Sequence, residues 1–241
     1  MGNVAGGFMA KRMGVPLGKF YTAVNANDIT HRAIQTGKFY KSDKMIMTLS
    51  EAINIQLPYN FERILFYLSG GDTDRIKQWM ATVDATNKND LPPDWLDLLQ
   101  QDFQSARVSD EEMCDTMRRV VTDYQYVTDP HTAVAFSAAD KFGFYSSQSK
   151  QKEARNQHPI ILLSTASPCK FEESITTALG TDGWDQYFKT SFPVAAKEIL
   201  EKREIEPILY KAVDIGSLEE SQKEWEVKAQ CILDELNVIG K

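Results

Sequence analysis

The chain has 241 residues, 42% hydrophobic and 25% charged, which suits a globular protein of one large domain or two small ones. A formal net charge of −7 and a pI near 5.1 argue against nucleic acid or an anionic membrane as the main partner. No apolar run is long enough to span a bilayer, and Met1 to Pro16 lack the apolar segment of a secretory leader, so a cytoplasmic protein is expected.

The opening GNVAGG turn leads into a helix over Val4–Met13, with Gly14 and Pro16 after its end. A glycine-rich helix start exposes free backbone N–H groups at the positive end of the helix dipole, a setting that receives phosphate as well as a plain cap. KFYTAVN, Lys19 to Asn25, is β-branched and aromatic and predicts a strand. NDITHRAIQTGKF predicts a helix capped by Asn27 or Asp28 and stopped at Gly37. Polar Asn25, Asn27 and Asp28 therefore gather at the C-terminal end of a strand. Ligands collect there in open α/β sheets, although turn and cap chemistry explains the same residues.

Phe61, Ile64, Leu65 and Leu68 recur at helical spacing, with Gly70 and Gly71 ending that helix and Asp72 capping the next. The polar, proline-containing NKNDLPPDW predicts a loop or subdomain boundary, and FQSARVS a short strand. Ser109 and Glu112 form a capping box ahead of a helix with Met113, Met117, Val120 and Val121 on one face. His131 follows Pro130 at the start of an alanine-rich helix, where the dipole favours a neutral imidazole. A polar connector, SSQSKQKEARNQH, then meets PIILLST, a continuous apolar run that predicts a strand buried on both faces. That strand would deliver Ser164, Thr165 and Ser167 to the C-terminal edge of a sheet, where a hydroxyl can bond a ring nitrogen. An amphipathic helix is predicted over Ser217–Leu236, with Leu218, Trp225, Ile232 and Leu236.

Cys114, Cys169 and Cys231 are widely spaced and odd in number, as for reduced thiols, and each reads as a small buried hydrophobe. The histidines stand singly, so no metal site is expected.

In sequence order, GNVAGGFMAKRMGVP, AVNANDITHR, TLSEAINIQLPYNFERILFYLSG, SDEE, DPHTAVA and STASPCKF resemble the second half of the threonine synthase family, its animal threonine synthase-like branch in particular. The resemblance covers Gly2 to about Leu179 and the tail only loosely. It implies the fold of the tryptophan-synthase-β class of pyridoxal-phosphate enzymes (fold type II). That is an α/β large domain with an open, mostly parallel sheet flanked by helices, here entered partway along. Residues 1–180 would be the C-terminal part of the cofactor-binding domain, and 181–241 a helical extension packed on it.

Members of that family act on O-phosphohomoserine. Bacterial, fungal and plant enzymes make threonine, and the animal branch resembles phospholyases that release phosphate and 2-oxobutanoate. Carried over by position, Gly2 and Asn3 match the second half of the loop that holds the phosphate of pyridoxal 5′-phosphate. Thr165 matches the threonine that meets the pyridine nitrogen. Asn25, Asn27, Asp28 and His131 fall on motifs that line the substrate cleft. Ser167 stands where the family often has histidine, and Asn54 where aspartate is common.

Nothing in the chain matches the His-Gly-Pro-Thr-x-Ala-Phe-Lys-Asp type of motif that carries the family's Schiff-base lysine, and Lys11 and Lys170 are poor substitutes. No catalytic residue is therefore assigned, and the chain by itself is expected to be inactive. A sheet lacking its leading strands would leave an exposed edge that invites self-association or a protein partner. The alternative expectation is a short, non-catalytic signalling form. Secreted, cytokine-like short forms belong to the animal branch, and export of this chain would need an unconventional route.

Overall fold

The computed structural model describes residues 2–144, 159–202 and 217–239. The chain divides into two compact units, Met1–Lys197 and Glu198–Lys241. The first unit carries all the strands among the described residues.

Helix α1, Gly2–Arg12, precedes strand β1, Phe20–Val24. Helix α2, Ile29–Thr36, follows and stops at Gly37, whose φ of 75° is the left-handed conformation that ends a helix without a side-chain clash. Strand β2, Lys38–Tyr40, and a 3₁₀ turn at Glu51–Ile53 lead to helix α3, Phe61–Leu68, which buries Phe61, Ile64 and Leu65. Asp72 caps helix α4, Thr73–Thr86, by accepting from the Arg75 N–H.

NKNDLPPDW is not a boundary. Lys88–Asp90 forms strand β3, antiparallel to β2, and Pro93 opens helix α5, Pro93–Asp102. Leu91 and Trp95 are core residues here, so a polar surface pattern conceals two buried anchors, and the prolines mark a helix start.

Strand β4, Phe103–Arg107, lies parallel to β1, with Phe20 opposite Phe103 and Val24 opposite Arg107. Helix α6, Asp110–Tyr124, begins with the full Ser109–Glu112 capping box. Helix α7, Pro130–Lys141, begins at Asp129. A 3₁₀ turn at Pro168–Lys170 precedes helix α8, Glu172–Thr190, whose backbone leaves helical geometry at Gly180. Helix α9 spans Val194–Leu200, and helix α10 spans Leu218–Ile239 in the second unit.

The sheet is smaller than expected. Among the described residues it consists of one parallel pair, β1–β4, and a separate antiparallel pair, β2–β3. The predicted strand over PIILLST does not form. Residues 159–165 carry no ladder, and Ile160, Ile161 and Leu163 are exposed. An apolar run becomes a buried strand only where a neighbouring strand and flanking helices cover it, and here β1 and β4 pair with each other. The polar connector at residues 145–158 lies outside the described residues. Cys114 is buried as expected, but Cys169, in the 3₁₀ turn, is half-buried and Cys231, on helix α10, is exposed.

Two cores organise the first unit. One is aromatic: Phe8, Phe39, Phe61, Trp79, Trp95 and Phe103 pack with Ile34, Ile64 and Leu65. The other is built from smaller and softer side chains, among them Ala106, Val108, Met113, Met117, Val134 and Ile175.

Candidate functional site

The polar residues at the end of β1 form a closed hydrogen-bond cluster. Asn25 is 1% exposed, and its Nδ2 donates to Thr48 Oγ1 and to Asn54 Oδ1, each at 2.8 Å, and to Ser50 Oγ at 3.2 Å. Its Oδ1 accepts from the Asn27 backbone N–H at 2.9 Å, the turn chemistry that asparagine favours. Asn27 reaches across to the next loop: its Nδ2 donates to the Ile46 carbonyl at 2.8 Å and its Oδ1 accepts from the Ile46 N–H at 2.9 Å. Thr48 Oγ1 also donates to Asn54 Oδ1 at 2.6 Å, so donors from Asn25, Asn27 and Thr48 converge on one oxygen. The Asn54 Nδ2 is buried without a hydrogen-bond partner. Three donors on one oxygen beside an orphaned amide nitrogen is an environment shaped for a carboxylate.

Asp28 does not cap α2 with its side chain. Its carboxylate accepts from Arg32 Nε at 2.8 Å and lies 3.9 Å from Arg107 Nη1, while the Arg32 guanidinium stacks on Tyr40. Asp28 is thereby the negative centre of a small charged rim beside the cluster.

His131 joins this region through the loop. Its Nδ1 is 3.0 Å from Asp129 Oδ1, and the Ala52 backbone N–H donates to its Nε2 at 3.1 Å. A backbone N–H only donates and a carboxylate only accepts, so these two bonds require the neutral imidazole with its proton on Nδ1. Asp129, 1% exposed, also accepts from the His131 and Thr132 backbone N–H groups and from Thr132 Oγ1. Burial pushes its carboxyl up, but the hydrogen bonds from His131 and Thr132 outweigh it and hold the group below the ordinary aspartate range. Phe171 covers the imidazole edge-on at 4.7 Å. The start of the loop is pinned from two further helices: Leu49 N–H donates to Asp110 at the start of α6, and the Leu49 carbonyl accepts from Ser174 Oγ of α8.

Gly2 and Asn3 are exposed in the first turn of α1, where the leading N–H groups have no intrahelical acceptor. Gly2 lines a groove of about 870 Å³ between α1, α3 and α4, with Gly6, Met9, Phe66, Tyr67 and Met80. Thr165 is exposed on the extended 159–165 stretch. The structure thus brings Asn25, Asn27, Asp28 and His131 into one region. Among the described residues, no hydrogen bond joins Gly2, Asn3 or Thr165 to it.

These residues fit a pyridoxal phosphate in part. The free N–H groups of α1 suit its phosphate, but Lys11 does not await its aldehyde: the ammonium is bound to Asp102 at 2.6 Å and to the Gly18 carbonyl at 2.9 Å. Sequence reasoning missed Thr48 and Ser50. The signal was their place in TLSEAIN, two hydroxyls shortly before Asn54 in one short segment.

Among the described residues, no cluster of histidine, cysteine and carboxylate side chains suits a metal ion, and no helix is long and apolar enough to cross a membrane.

Residues 132–212 match the family described as threonine synthase, C-terminal. The chain is 36% identical over 177 residues to threonine synthase-like 2 of Homo sapiens, covering 73% of this chain and 35% of that protein. It is 33% identical over 199 residues to the threonine synthase of Saccharomyces cerevisiae, covering 77% and 37%. Among solved structures, yeast threonine synthase aligns with a TM-score of 0.72 at 30% identity, over 84% of this chain and 41% of that one. The pyridoxal-phosphate-bound threonine synthase of Brucella melitensis aligns at 0.69 and 26%, over 82% and 39%. The chain therefore spans well under half the length of each of these relatives, and its fold is the corresponding part of their α/β architecture.

Proposed function

Because the chain is a relative of the C-terminal part of the threonine synthases, we propose that it supplies that part of a pyridoxal-phosphate-dependent phospholyase. The reaction is elimination of phosphate from O-phosphohomoserine, followed by hydrolysis with one water that releases ammonia and leaves 2-oxobutanoate. The observation that carries this reading is the Asn25–Asn27–Thr48–Ser50–Asn54 cluster at the C-terminal end of β1, in a chain whose sequence follows that family.

In this reading Gly2 and Asn3 present backbone N–H groups of the first turn of α1 to the cofactor phosphate, and Thr165 offers its hydroxyl to the pyridine nitrogen. The cofactor supplies the electron sink for breaking the carbon–oxygen bond. Asp28, half-buried, faces the substrate with its carboxylate, and Asn27, also half-buried, holds the Ile46 backbone at the edge of the cleft. Asn25 and His131 spend their polar atoms inside the protein and shape the wall behind them. The amine that holds the cofactor's aldehyde comes from outside these 241 residues.

The test is to supply the purified chain with pyridoxal phosphate and O-phosphohomoserine. The expected result is no phosphate release, with release appearing when a polypeptide carrying the family's lysine motif is added. Turnover by the chain alone, or none in either arm, overturns the proposal.

A second reading, a non-catalytic interaction form, draws on one observation: Ile160, Ile161 and Leu163 are exposed on the extended 159–165 stretch. Cross-linking the purified chain across a concentration series tests it. A monomer at every concentration rules out self-association through this segment.

A further inference from the structure

The hydrogen bonds around His131 have a property that its neighbours lack: they are compatible with only one protonation state. Nδ1 faces a carboxylate, which welcomes a proton there in every state of the ring. Nε2 faces the Ala52 N–H, which bonds a lone pair and opposes a second proton. Protonation therefore strengthens one contact and removes the other. The contact that strengthens belongs to the turn that carries His131 itself, whereas the contact that fails belongs to the loop that completes the asparagine cluster.

We infer that His131 is a proton-sensitive latch on the 48–54 loop: neutral, it ties Asp129 to Ala52, and protonated, it keeps Asp129 and lets Ala52 go. The release is local. Leu49 stays bound to Asp110 and Ser174, so the part that loosens runs from Ala52 to Asn54. Two residues on, Asn54 Oδ1 receives Asn25, Asn27 and Thr48, so the latch acts on the stretch that leads into the cluster's shared acceptor.

The groups facing the imidazole are the Asp129 carboxylate from its own turn, the Ala52 amide from the loop and the Phe171 ring ahead of α8. The charged residues next to those contacts, Glu51, Lys170 and Glu172, are exposed, and Asp110 is engaged with Leu49. No neighbouring acceptor takes over the second ring proton among these contacts. The latch stands on these bonds alone; its effect on a substrate would rest on the reading proposed above.

The test uses the full chain labelled with ¹⁵N. At about pH 8 the imidazole should show a protonated Nδ1 and an unprotonated Nε2, and the opposite tautomer overturns the proposal. Amide exchange is then followed from about pH 8 to about pH 5 after correction for intrinsic rates. Ala52 should lose about tenfold more protection than Val108, whose N–H is held by the Val24 carbonyl just past the end of β4. Equal changes at the two amides overturn the latch.

In His131→Gln, which does not titrate in this range, the extra loss at Ala52 should disappear. Its persistence would place the proton elsewhere and overturn the assignment. If His131→Gln fails to protect Val108, the comparison in the unsubstituted chain decides by itself. Because the readout is the Ala52 amide, failure of the latch and failure of the proposed reaction are seen separately.

Discussion

The two cores of the first unit obey different rules. The aromatic core is held by area and ring geometry: Phe39 stacks on Phe61 at 5.4 Å, and Phe8 meets Phe103 at 5.1 Å. Such contacts are indifferent to protons. The second core holds buried polar groups against its apolar residues, including Asn25, Ser50, Asp129, His131 and Ser174. Each of those groups costs free energy unless a specific partner is in place. One region depends chiefly on well-packed apolar area, whereas the other depends on a specific set of hydrogen bonds, and that is where the candidate site sits.

The sharpest way to break this contrast is to damage each side and vary pH. Phe61→Ala should cost about 4 kcal/mol, equally at neutral and mildly acid pH, by urea unfolding. A strongly pH-dependent cost would show that the aromatic core is coupled to the polar one.

Asp129→Ala removes the α7 cap and strands the His131 Nδ1–H and the Thr132 donors, for a cost of about 3 kcal/mol at neutral pH. The folded-state pKa of Asp129 is depressed, so its contribution is present above the ordinary carboxyl pKa and lost as pH falls through the folded value. The difference between Asp129→Ala and the unsubstituted chain should therefore shrink below about pH 4. A constant difference down to about pH 2 would remove the carboxylate from the explanation.

Asn54→Asp should raise stability by about 1 kcal/mol at neutral pH, because a carboxylate receives the three donors and removes the orphaned nitrogen. A lower melting temperature would mean that burying the charge outweighs those bonds. The smallest effect is expected from Ser109→Ala. Loss of the capping box should cost about 1 kcal/mol or less and leave the Ala52 amide unchanged.

Much of the aromatic half was legible in sequence. Helical spacing marked Phe61, Ile64 and Leu65, and cap chemistry marked Asp72, Gly37 and Ser109. Local rules suffice where a residue's role depends on its own helix. They failed at NKNDLPPDW, where Leu91 and Trp95 are buried by partners distant in sequence, and at PIILLST, where composition implies a sheet neighbour that the described residues lack.

The candidate site was half legible. Asn25, Asn27 and Asp28 stood out by position, and so did His131 at its helix start. The bond that unites them with the loop, from Ala52 to His131, runs through a backbone amide across 79 positions, and no side-chain pattern records it.

The parallel pairing of β1 with β4 constrains how the molecule is made. The Ser105 hydroxyl meets the Thr22 carbonyl across 83 positions, and Ser174 meets Leu49 across 125. On the ribosome, the first strand emerges long before its neighbour and must wait unpaired through the synthesis of four helices. The loop that carries Thr48 and Ser50 is pinned later still, once Ser174 of α8 has left the exit tunnel and reached the Leu49 carbonyl. A stall before β4 emerges would hold a nascent chain whose first strand has no partner.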